Sequence, residues 1–257
     1  MKELLKINNH NGEALCVEKY SANNPKASVV FCHGITGCRK GRNMDDDYFQ
    51  NLAAKLEDLG YNVILFDYSG HGESEGNDYD VCLSKSVSEL TAVFDREVDT
   101  SLPVHFLAFS YGAAVLNNFL NSKKEVTPSK IVLYSPCIFP NNSCFLTEKS
   151  IFGKDVYKEF GTGAMEKNGY ATVGAKGFRL GFKMITECKT FIPDALVQYS
   201  SNILVLSGKN DVILDTSYNT QFFEERGIQN IWLDASHSLF EDIERAFELT
   251  TNFFEGE

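Results

Sequence analysis

The residues best suited to nucleophilic chemistry lie in the stretch Ala108-Phe109-Ser110-Tyr111-Gly112. The pattern predicts a buried strand directly before this stretch and a helix directly after it. A serine in a tight strand-to-helix turn, with small residues on both sides, is typical of a nucleophile elbow. The usual elbow pattern is G-x-S-x-G, and Ala108 replaces its first glycine with one extra methyl group. The alternative is that Ser110 only caps the following helix, a common use of serine.

A nucleophilic serine requires a base, and the base requires an acid that orients it. Among the five histidines, His237 follows a predicted strand and precedes the last predicted helix. For the acid, Asp211 lies in a turn after another predicted strand. The order serine, aspartate, histidine at three strand ends is one chain order of the catalytic triad. We therefore predict that Ser110, Asp211 and His237 are the catalytic residues.

Two other aspartates compete with Asp211 for the acid's role. Asp215 lies where it would cap the following helix, and Asp234 is so close to His237 in sequence that it would shape the loop. A GxxD turn, such as the one that contains Asp211, is itself common without any catalytic role. The choice of the acid therefore rests on chain order.

The elements that position these residues alternate between apolar runs and helical patterns. This alternation indicates an α/β protein with a mostly parallel central sheet flanked by helices. In such a sheet the carboxyl ends of the strands form the edge where ligands bind. Strands are predicted at 14–20, 28–32, 61–67, 104–109, 131–134, 202–207 and 231–233, and helices at 48–59, 81–94, 111–120, 216–226 and 239–254.

The alternation stops between Pro136 and Pro193, where glycines and aromatic residues are frequent. We interpret 137–193 as an inserted cap, and 1–136 together with 194–257 as one core domain. Most of the aromatic residues are expected to form a small core of the cap itself. Some are expected to line an acyl or aryl pocket, because ligand pockets are largely apolar.

Composition restricts the possible partners and location. The formal net charge of −11 argues against nucleic acid or an anionic membrane as the main partner. No stretch approaches the roughly 20 apolar residues of a membrane span, and the N-terminal residues do not resemble a signal peptide. Seven scattered cysteines without a CxxC pair predict free thiols and a cytoplasmic location.

Two further motifs make a family resemblance clear. His33-Gly34-Ile35-Thr36-Gly37 resembles the HGxxG oxyanion segment of α/β-hydrolases, and 67–74 (DYSGHGES) resembles their D-x-x-GHGxS loop. The similarity extends from about Ala14 to Phe254 and is weakest in the cap. The resemblance implies the α/β-hydrolase fold and a serine hydrolase that needs no cofactor.

The resemblance also assigns individual roles. Backbone N–H groups of Ile35 and Tyr111 would form the oxyanion hole, and His33 and His71 would hold loops near the site. Phe109 stands where many relatives carry histidine, and Tyr111 where many carry glutamine or methionine. We expect Ile35, Phe109 and Tyr111 to contact substrate. A metal site built from His33, His71 and His237 is conceivable, but no ligand spacing supports it, and we expect no metal.

The motifs look most like those of small intracellular bacterial esterases, including hydroxycinnamoyl (feruloyl) esterases, and like monoacylglycerol lipases. We therefore expect cleavage of a small or medium acyl or aryl carboxylic ester through an acyl-enzyme. The same triad could instead cleave thioesters or transfer an acyl group to another acceptor. A non-catalytic binding protein on a hydrolase fold is the alternative of a different class.

Overall fold

Most of the strands form one sheet through the middle of the molecule. A computed structural model describes residues 2–256. In the described chain, eight strands lie in the order β1-β2-β4-β3-β5-β6-β9-β10 and a separate pair, β7 and β8, is antiparallel. The strands are β1 (Lys2–Asn8), β2 (Ala14–Tyr20), β3 (Ala27–Cys32), β4 (Tyr61–Phe66), β5 (Val104–Phe109), β6 (Lys130–Tyr134), β7 (Tyr170–Val173), β8 (Phe178–Gly181), β9 (Ile203–Gly208) and β10 (Gln229–Leu233).

Within the eight-stranded sheet, the pairings along β4-β3-β5-β6-β9-β10 are parallel, and the pairings of β1 with β2 and of β2 with β4 are antiparallel. Every residue of β3 and β5 is buried. Short apolar runs such as these are expected of strands covered on both faces. The mostly parallel sheet predicted from the sequence is confirmed.

Helices cover both faces of the sheet. Side chains of α1 and α9 belong to the apolar cluster on one face, and those of α2, α3 and α8 to the cluster on the other. The helices are α1 (Tyr48–Asp58), α2 (Leu83–Glu97), α3 (Tyr111–Ser122), α4 (Ile151–Gly161), α5 (Ala164–Asn168), α6 (Phe182–Lys189), α7 (Asp194–Val197), α8 (Thr216–Glu225) and α9 (Ile243–Glu255).

Two elements differ from the sequence-based expectation. The first strand is β1, not β2, and it pairs along its whole length with β2. It lies at the sheet edge with most of its side chains in solvent, so it lacks the apolar run by which buried strands are recognised. The last helix begins at Ile243 rather than near Leu239, because Leu239 has a positive φ of 58° and a short turn follows it.

The segment 137–193 packs tightly on the rest of the chain. Arg179 of β8 pairs with Asp78 at 2.5 Å, and Glu187 of α6 accepts a hydrogen bond from the Ser84 backbone N–H at 2.9 Å. Its buried aromatic residues join the apolar cluster of α2 and α3. The expectation that they form a separate small core is therefore wrong: they extend the core on this face of the sheet.

Two further properties follow from the structure of residues 2–256. Within that range, no helix is both long and apolar enough to cross a membrane. All seven cysteines are buried and free, as the sequence predicted.

Candidate active site

Ser110 lies in a strained turn between β5 and α3. Its φ of 51° and ψ of −117° place a non-glycine residue in a sparsely populated backbone region. The surrounding chain holds this conformation: the Ser110 N–H donates to the Tyr134 carbonyl, and the Ser110 carbonyl accepts from the Cys137 N–H, both at 2.9 Å. Such strain costs about 1–3 kcal/mol and persists only where neighbouring structure enforces it. The turn directs the hydroxyl away from the strand and above the sheet edge.

The small residues around Ser110 are required by close packing. A Cβ at Gly112 would lie 2.1 Å from the Cys32 carbonyl oxygen of β3. A Cβ at Gly34 would meet the Phe109 ring at 3.0 Å. Ala108 is fully buried, so its extra methyl group is accommodated. Glycine at 112 therefore allows α3 to begin directly against β3.

Ser110, His237 and Asp211 form a continuous chain of hydrogen bonds. His237 Nε2 lies 2.8 Å from Ser110 Oγ, and His237 Nδ1 lies 2.7 Å from Asp211 Oδ2. The other oxygen of Asp211 accepts from the backbone N–H groups of Ile213 at 2.8 Å and Leu214 at 3.0 Å. The Asp211 side chain is 2% exposed and that of His237 14%. Both oxygens of the carboxylate are thus occupied, and the ring is held between acid and hydroxyl.

Parallel pairing of β9 and β10 explains why an aspartate and a histidine 26 residues apart meet. Leu233 pairs with Gly208, so both strands release their loops at the same level of the sheet edge. The two loops are then joined by hydrogen bonds from Lys209 N to the Leu233 carbonyl and from Asn210 N to the Ala235 carbonyl, each at 3.0 Å. The loops therefore present their side chains to each other.

The competing aspartates have other partners. Asp215 caps α8 by accepting from the Ser217 N–H at 3.2 Å and pairs with Lys149 at 3.0 Å. Asp234 accepts from the Asn210 amide at 3.4 Å. Neither has a hydrogen bond with His237 in the described structure.

The segment around Ile35 supplies a backbone donor beside Ser110. Within residues 2–256, the Ile35 N–H has no hydrogen-bond acceptor. Tyr111 is the first residue of α3, and the first N–H groups of a helix have no partner inside the helix. His71 bonds through Nε2 to the Ile35 carbonyl and so holds this segment in place. Two N–H groups without a partner in the described chain therefore lie near the serine.

A buried ionic network supports the same segment from behind. Arg39, whose side chain is 2% exposed, pairs with Asp67 at 2.5 Å, with Glu18 at 3.2 Å and with Glu73. The Arg39 N–H also donates to Asp67 at 2.6 Å. His33 accepts from the Tyr68 N–H at 3.1 Å. The HGxxG segment and the loop after β4 are thus fixed to each other by charge and by backbone hydrogen bonds.

The two motif histidines are buried and engaged with the backbone. Burial lowers the pKa of His33 well below its ordinary value and also lowers the pKa of His71. The two rings are therefore neutral, and they position loops through hydrogen bonds to the backbone. In the part of the chain that the structure describes, no group of three or more His, Cys, Asp or Glu side chains is arranged to hold a metal ion.

A cavity of about 330 Å³ opens directly over Ser110 and His237. Ile35 and Phe109, both expected to contact substrate, line it. Tyr111 does not: its ring is buried beneath the sheet edge, and its hydroxyl donates to Ser86 Oγ at 3.0 Å. The first helical residue after the elbow directs its ring toward α2, so the substrate contact predicted for Tyr111 stays a prediction that only its backbone could meet.

Several cavity residues were not identified from the sequence, and Phe152, Arg42 and Lys176 are among them. Phe152 of α4 belongs to the aromatic group of 137–193 but could not be singled out within it. Arg42 precedes α1, and Lys176 lies in the turn between β7 and β8. Neither cation belongs to a recognisable motif, and only the folded chain brings 42 and 176 to one cavity.

Comparison with known proteins gives a consistent family. The family model described as serine aminopeptidase, S33, matches residues 23–160. Lysophosphatidylserine lipase ABHD12 from Xenopus tropicalis is 32% identical over 114 residues, which are 42% of this chain and 27% of that protein. The matched region thus spans about a quarter of the length of the curated relatives.

Solved structures extend the likeness to nearly the whole chain. Est1E from Butyrivibrio proteoclasticus, solved with ferulic acid bound, has a TM-score of 0.76 at 16% identity and 98% coverage of both chains. A putative hydrolase from Agrobacterium vitis S4 has a TM-score of 0.72 at 17% identity, again with 98% coverage of both. At these identities the likeness establishes the fold, which is the α/β-hydrolase fold predicted from the motifs.

Proposed function

The chain belongs to the serine aminopeptidase S33 family of α/β-hydrolases, and from that premise we propose that it is a serine hydrolase of carboxylic esters. The observation that carries the proposal is the hydrogen-bonded chain from Ser110 through His237 to Asp211 at the floor of the cavity. A serine hydroxyl held 2.8 Å from an imidazole nitrogen, with a carboxylate on the other nitrogen, is the arrangement that activates serine as a nucleophile.

The proposed reaction proceeds through an acyl-enzyme. Ser110 Oγ attacks the ester carbonyl carbon while His237 Nε2 takes the hydroxyl proton. The tetrahedral intermediate then expels the alcohol, which receives that proton from His237. Water attacks the acyl-enzyme with His237 again as base, and the acid leaves as Ser110 regains its proton. Asp211 holds the ring in the tautomer that accepts at Nε2 and stabilises the imidazolium.

The oxyanion hole is proposed at the backbone N–H groups of Ile35 and Tyr111. Both groups lie beside Ser110, one in the turn after β3 and the other at the start of α3. Such donors stabilise the charge that develops on the carbonyl oxygen, and each is typically worth about 10²–10³ in rate. Anchoring of the Ile35 segment by Arg39 and His71 supports this role, since a hole that must reorganise stabilises less.

The cavity supports a small or medium acyl or aryl ester. Its volume is at the lower end of the usual range for ligand pockets, and much of its wall is apolar. The segment 137–193, which contributes Phe152 and Lys176 to that wall, is proposed as the cap that shapes specificity. One relative is named a lysophosphatidylserine lipase, and a lipase cleaves carboxylic esters, which supports the same class of reaction for this chain. The seven free thiols support a reducing compartment such as the cytoplasm.

The proposal is tested by hydrolysis of p-nitrophenyl butyrate. Wild type should cleave it, and Ser110→Ala should lose activity to near background. Ser135→Ala is the matched control, since Ser135 is a buried serine with positive φ directly after neighbouring β6, and its hydroxyl has no partner among residues 2–256. It should retain activity. Full activity in Ser110→Ala would contradict the proposal.

The same assay separates the alternatives. A p-nitrothiophenyl butyrate substrate reports thioester cleavage, and added short alcohols report acyl transfer by formation of new esters. Higher kcat/KM for the thioester, or products dominated by transfer, would reassign the reaction while keeping the nucleophile. Absence of all three activities in folded protein would favour a binding function.

A further inference from the structure

The cavity over Ser110 carries two cations and no acid. Arg42 and Lys176 both line it, and no aspartate or glutamate of the described chain does. This is unexpected in a protein with a formal net charge of −11. A local excess of positive charge on the wall of an apolar cavity favours an anionic ligand.

Lys176 extends from the β7–β8 turn to the segment that carries Ile35. Its ammonium donates to the Thr36 carbonyl at 3.0 Å and to the Arg42 carbonyl. An ammonium has three donors, so one stays available. Among residues 2–256, no carboxylate lies within ion-pair distance of Lys176. Burial lowers the pKa of Lys176, with the nearby charge of Arg42 adding to the effect.

Arg42 also keeps donors free. Its Nε and Nη2 pair with Asp46 at 3.2 and 3.3 Å, which occupies one edge of the guanidinium. Its guanidinium lies 4.1 Å from the centre of the Phe240 ring, which orients the plane. Within the described residues, Nη1 has no hydrogen-bond acceptor. A guanidinium with an open edge is suited to bind a carboxylate or phosphate.

We propose that Arg42 and Lys176 form a binding site for a negatively charged group of the substrate, so that the preferred substrates are anionic esters. The inference rests on the proposed ester hydrolysis at Ser110. The cations and the nucleophile share a cavity of about 330 Å³, so one small substrate spans both. The charged group is a carboxylate or phosphate, carried either by the acyl part or by the alcohol.

Two matched substrate pairs test the inference and locate the charge. The acyl pair is p-nitrophenyl hydrogen glutarate against p-nitrophenyl pentanoate. The alcohol pair is p-butyryloxybenzoate against p-butyryloxybenzamide. In at least one pair, wild type should favour the anionic member by about tenfold in kcat/KM at low salt, because a hydrogen bond to a charged group contributes about that much. Added salt should reduce this preference.

Because the two cations share the charged group, Lys176→Gln and Arg42→Gln should each lower the anionic-to-neutral ratio by about threefold, or about 0.7 kcal/mol. The ratio is the readout, since Lys176 also holds the Ile35 segment and its loss can slow both members. Lys183→Gln is the control, because Lys183 is 70% exposed on α6 and outside the cavity. It should leave the ratio unchanged.

Outcomes for this site and for the proposed reaction are distinguishable. Equal kcat/KM within both pairs, in an enzyme that cleaves them, would overturn the anion site and leave ester hydrolysis standing. If wild type cleaves no ester, the proposed reaction fails, and calorimetric titration of Ser110→Ala with phenyl phosphate and phenol decides the site. Binding of phenyl phosphate alone, weakened by Lys176→Gln, supports it, and no binding overturns it.

Discussion

Replacement of Asp211 by asparagine changes one atom of the proposed triad and leaves its volume unchanged. The oxygen that accepts from the Ile213 and Leu214 N–H groups can persist as the amide carbonyl. The amide NH₂ then takes the place of the carboxylate oxygen 2.7 Å from His237 Nδ1. A donor there requires Nδ1 to be the unprotonated nitrogen, so the proton moves to Nε2.

That tautomer cannot accept the Ser110 proton. A neutral donor also gives no stabilisation to the imidazolium that forms during attack. The corresponding exchange in a serine protease triad costs about 10⁴ in kcat, equivalent to about 5 kcal/mol of barrier at 1.36 kcal/mol per factor of ten. Because both backbone hydrogen bonds to the side chain persist, we expect a loss of this size in kcat with little change in thermal stability.

The assay is kcat and KM for p-nitrophenyl butyrate across pH, with thermal unfolding measured in parallel. Asp215→Asn and Asp234→Asn are matched controls, because each replaces a nearby aspartate that, in the described chain, has other partners and no hydrogen bond with His237. Both should stay within a few-fold of wild type. Activity of Asp211→Asn within threefold of wild type, or an equal loss in Asp234→Asn, would refute the assignment of the acid.

Three further substitutions test a close backbone contact, a buried ion pair and a buried histidine. Gly112→Ala places a methyl group 2.1 Å from a main-chain oxygen of β3, so it should lower the free energy of unfolding in urea by about 1–3 kcal/mol and reduce activity. Gly161→Ala is the control, because no described atom lies within 4 Å of its Cβ, and it should be neutral or slightly stabilising. Arg39→Met leaves buried Asp67 without its cation and removes one of the two cations that pair with buried Glu18, which keeps Lys2. It should cost about 3–5 kcal/mol by the same measurement, while Arg245→Met, in an exposed pair, should cost under about 1 kcal/mol. Burial lowers the pKa of His105 from 6.5 to about 4, so below pH 6.5 the ring is neutral in the folded protein and takes up a proton on unfolding. Its contribution to the free energy of unfolding is therefore complete above pH 6.5 and is lost as the pH falls toward 4. His105→Phe should therefore make the loss of unfolding free energy between pH 6.5 and 4 smaller than in wild type, and an unchanged slope would contradict this.

Much of the fold could be predicted from the sequence because buried parallel strands are continuous apolar runs. The strands from β3 to β6 and β9 have this character, and helices with one apolar face separate most of them. The edge strand β1 escaped prediction because its side chains lie mostly in solvent. The packing of 137–193 also escaped, because its aromatic residues carry no sign of which surface they bury.

The site residues also divide into those that local sequence patterns identify and those that depend on tertiary packing. Ser110, Asp211 and His237 follow predictable strands, so the sheet edge brings them together and their chain order identifies them as a group. The side chain of Tyr111 depends on the direction of the first turn of α3, which the pentapeptide does not encode. Lys176 reaches the cavity only through the β7–β8 turn of 137–193, a tertiary placement that no local pattern records.

The most direct test of the account is covalent labelling of the intact protein with a fluorophosphonate, followed by mass spectrometry. Such probes react with a serine that a neighbouring base has activated. We expect one equivalent on wild type and none on Ser110→Ala, with labelling slowed in His237→Ala. No labelling of folded wild type, or undiminished labelling of Ser110→Ala, would contradict the proposed nucleophile.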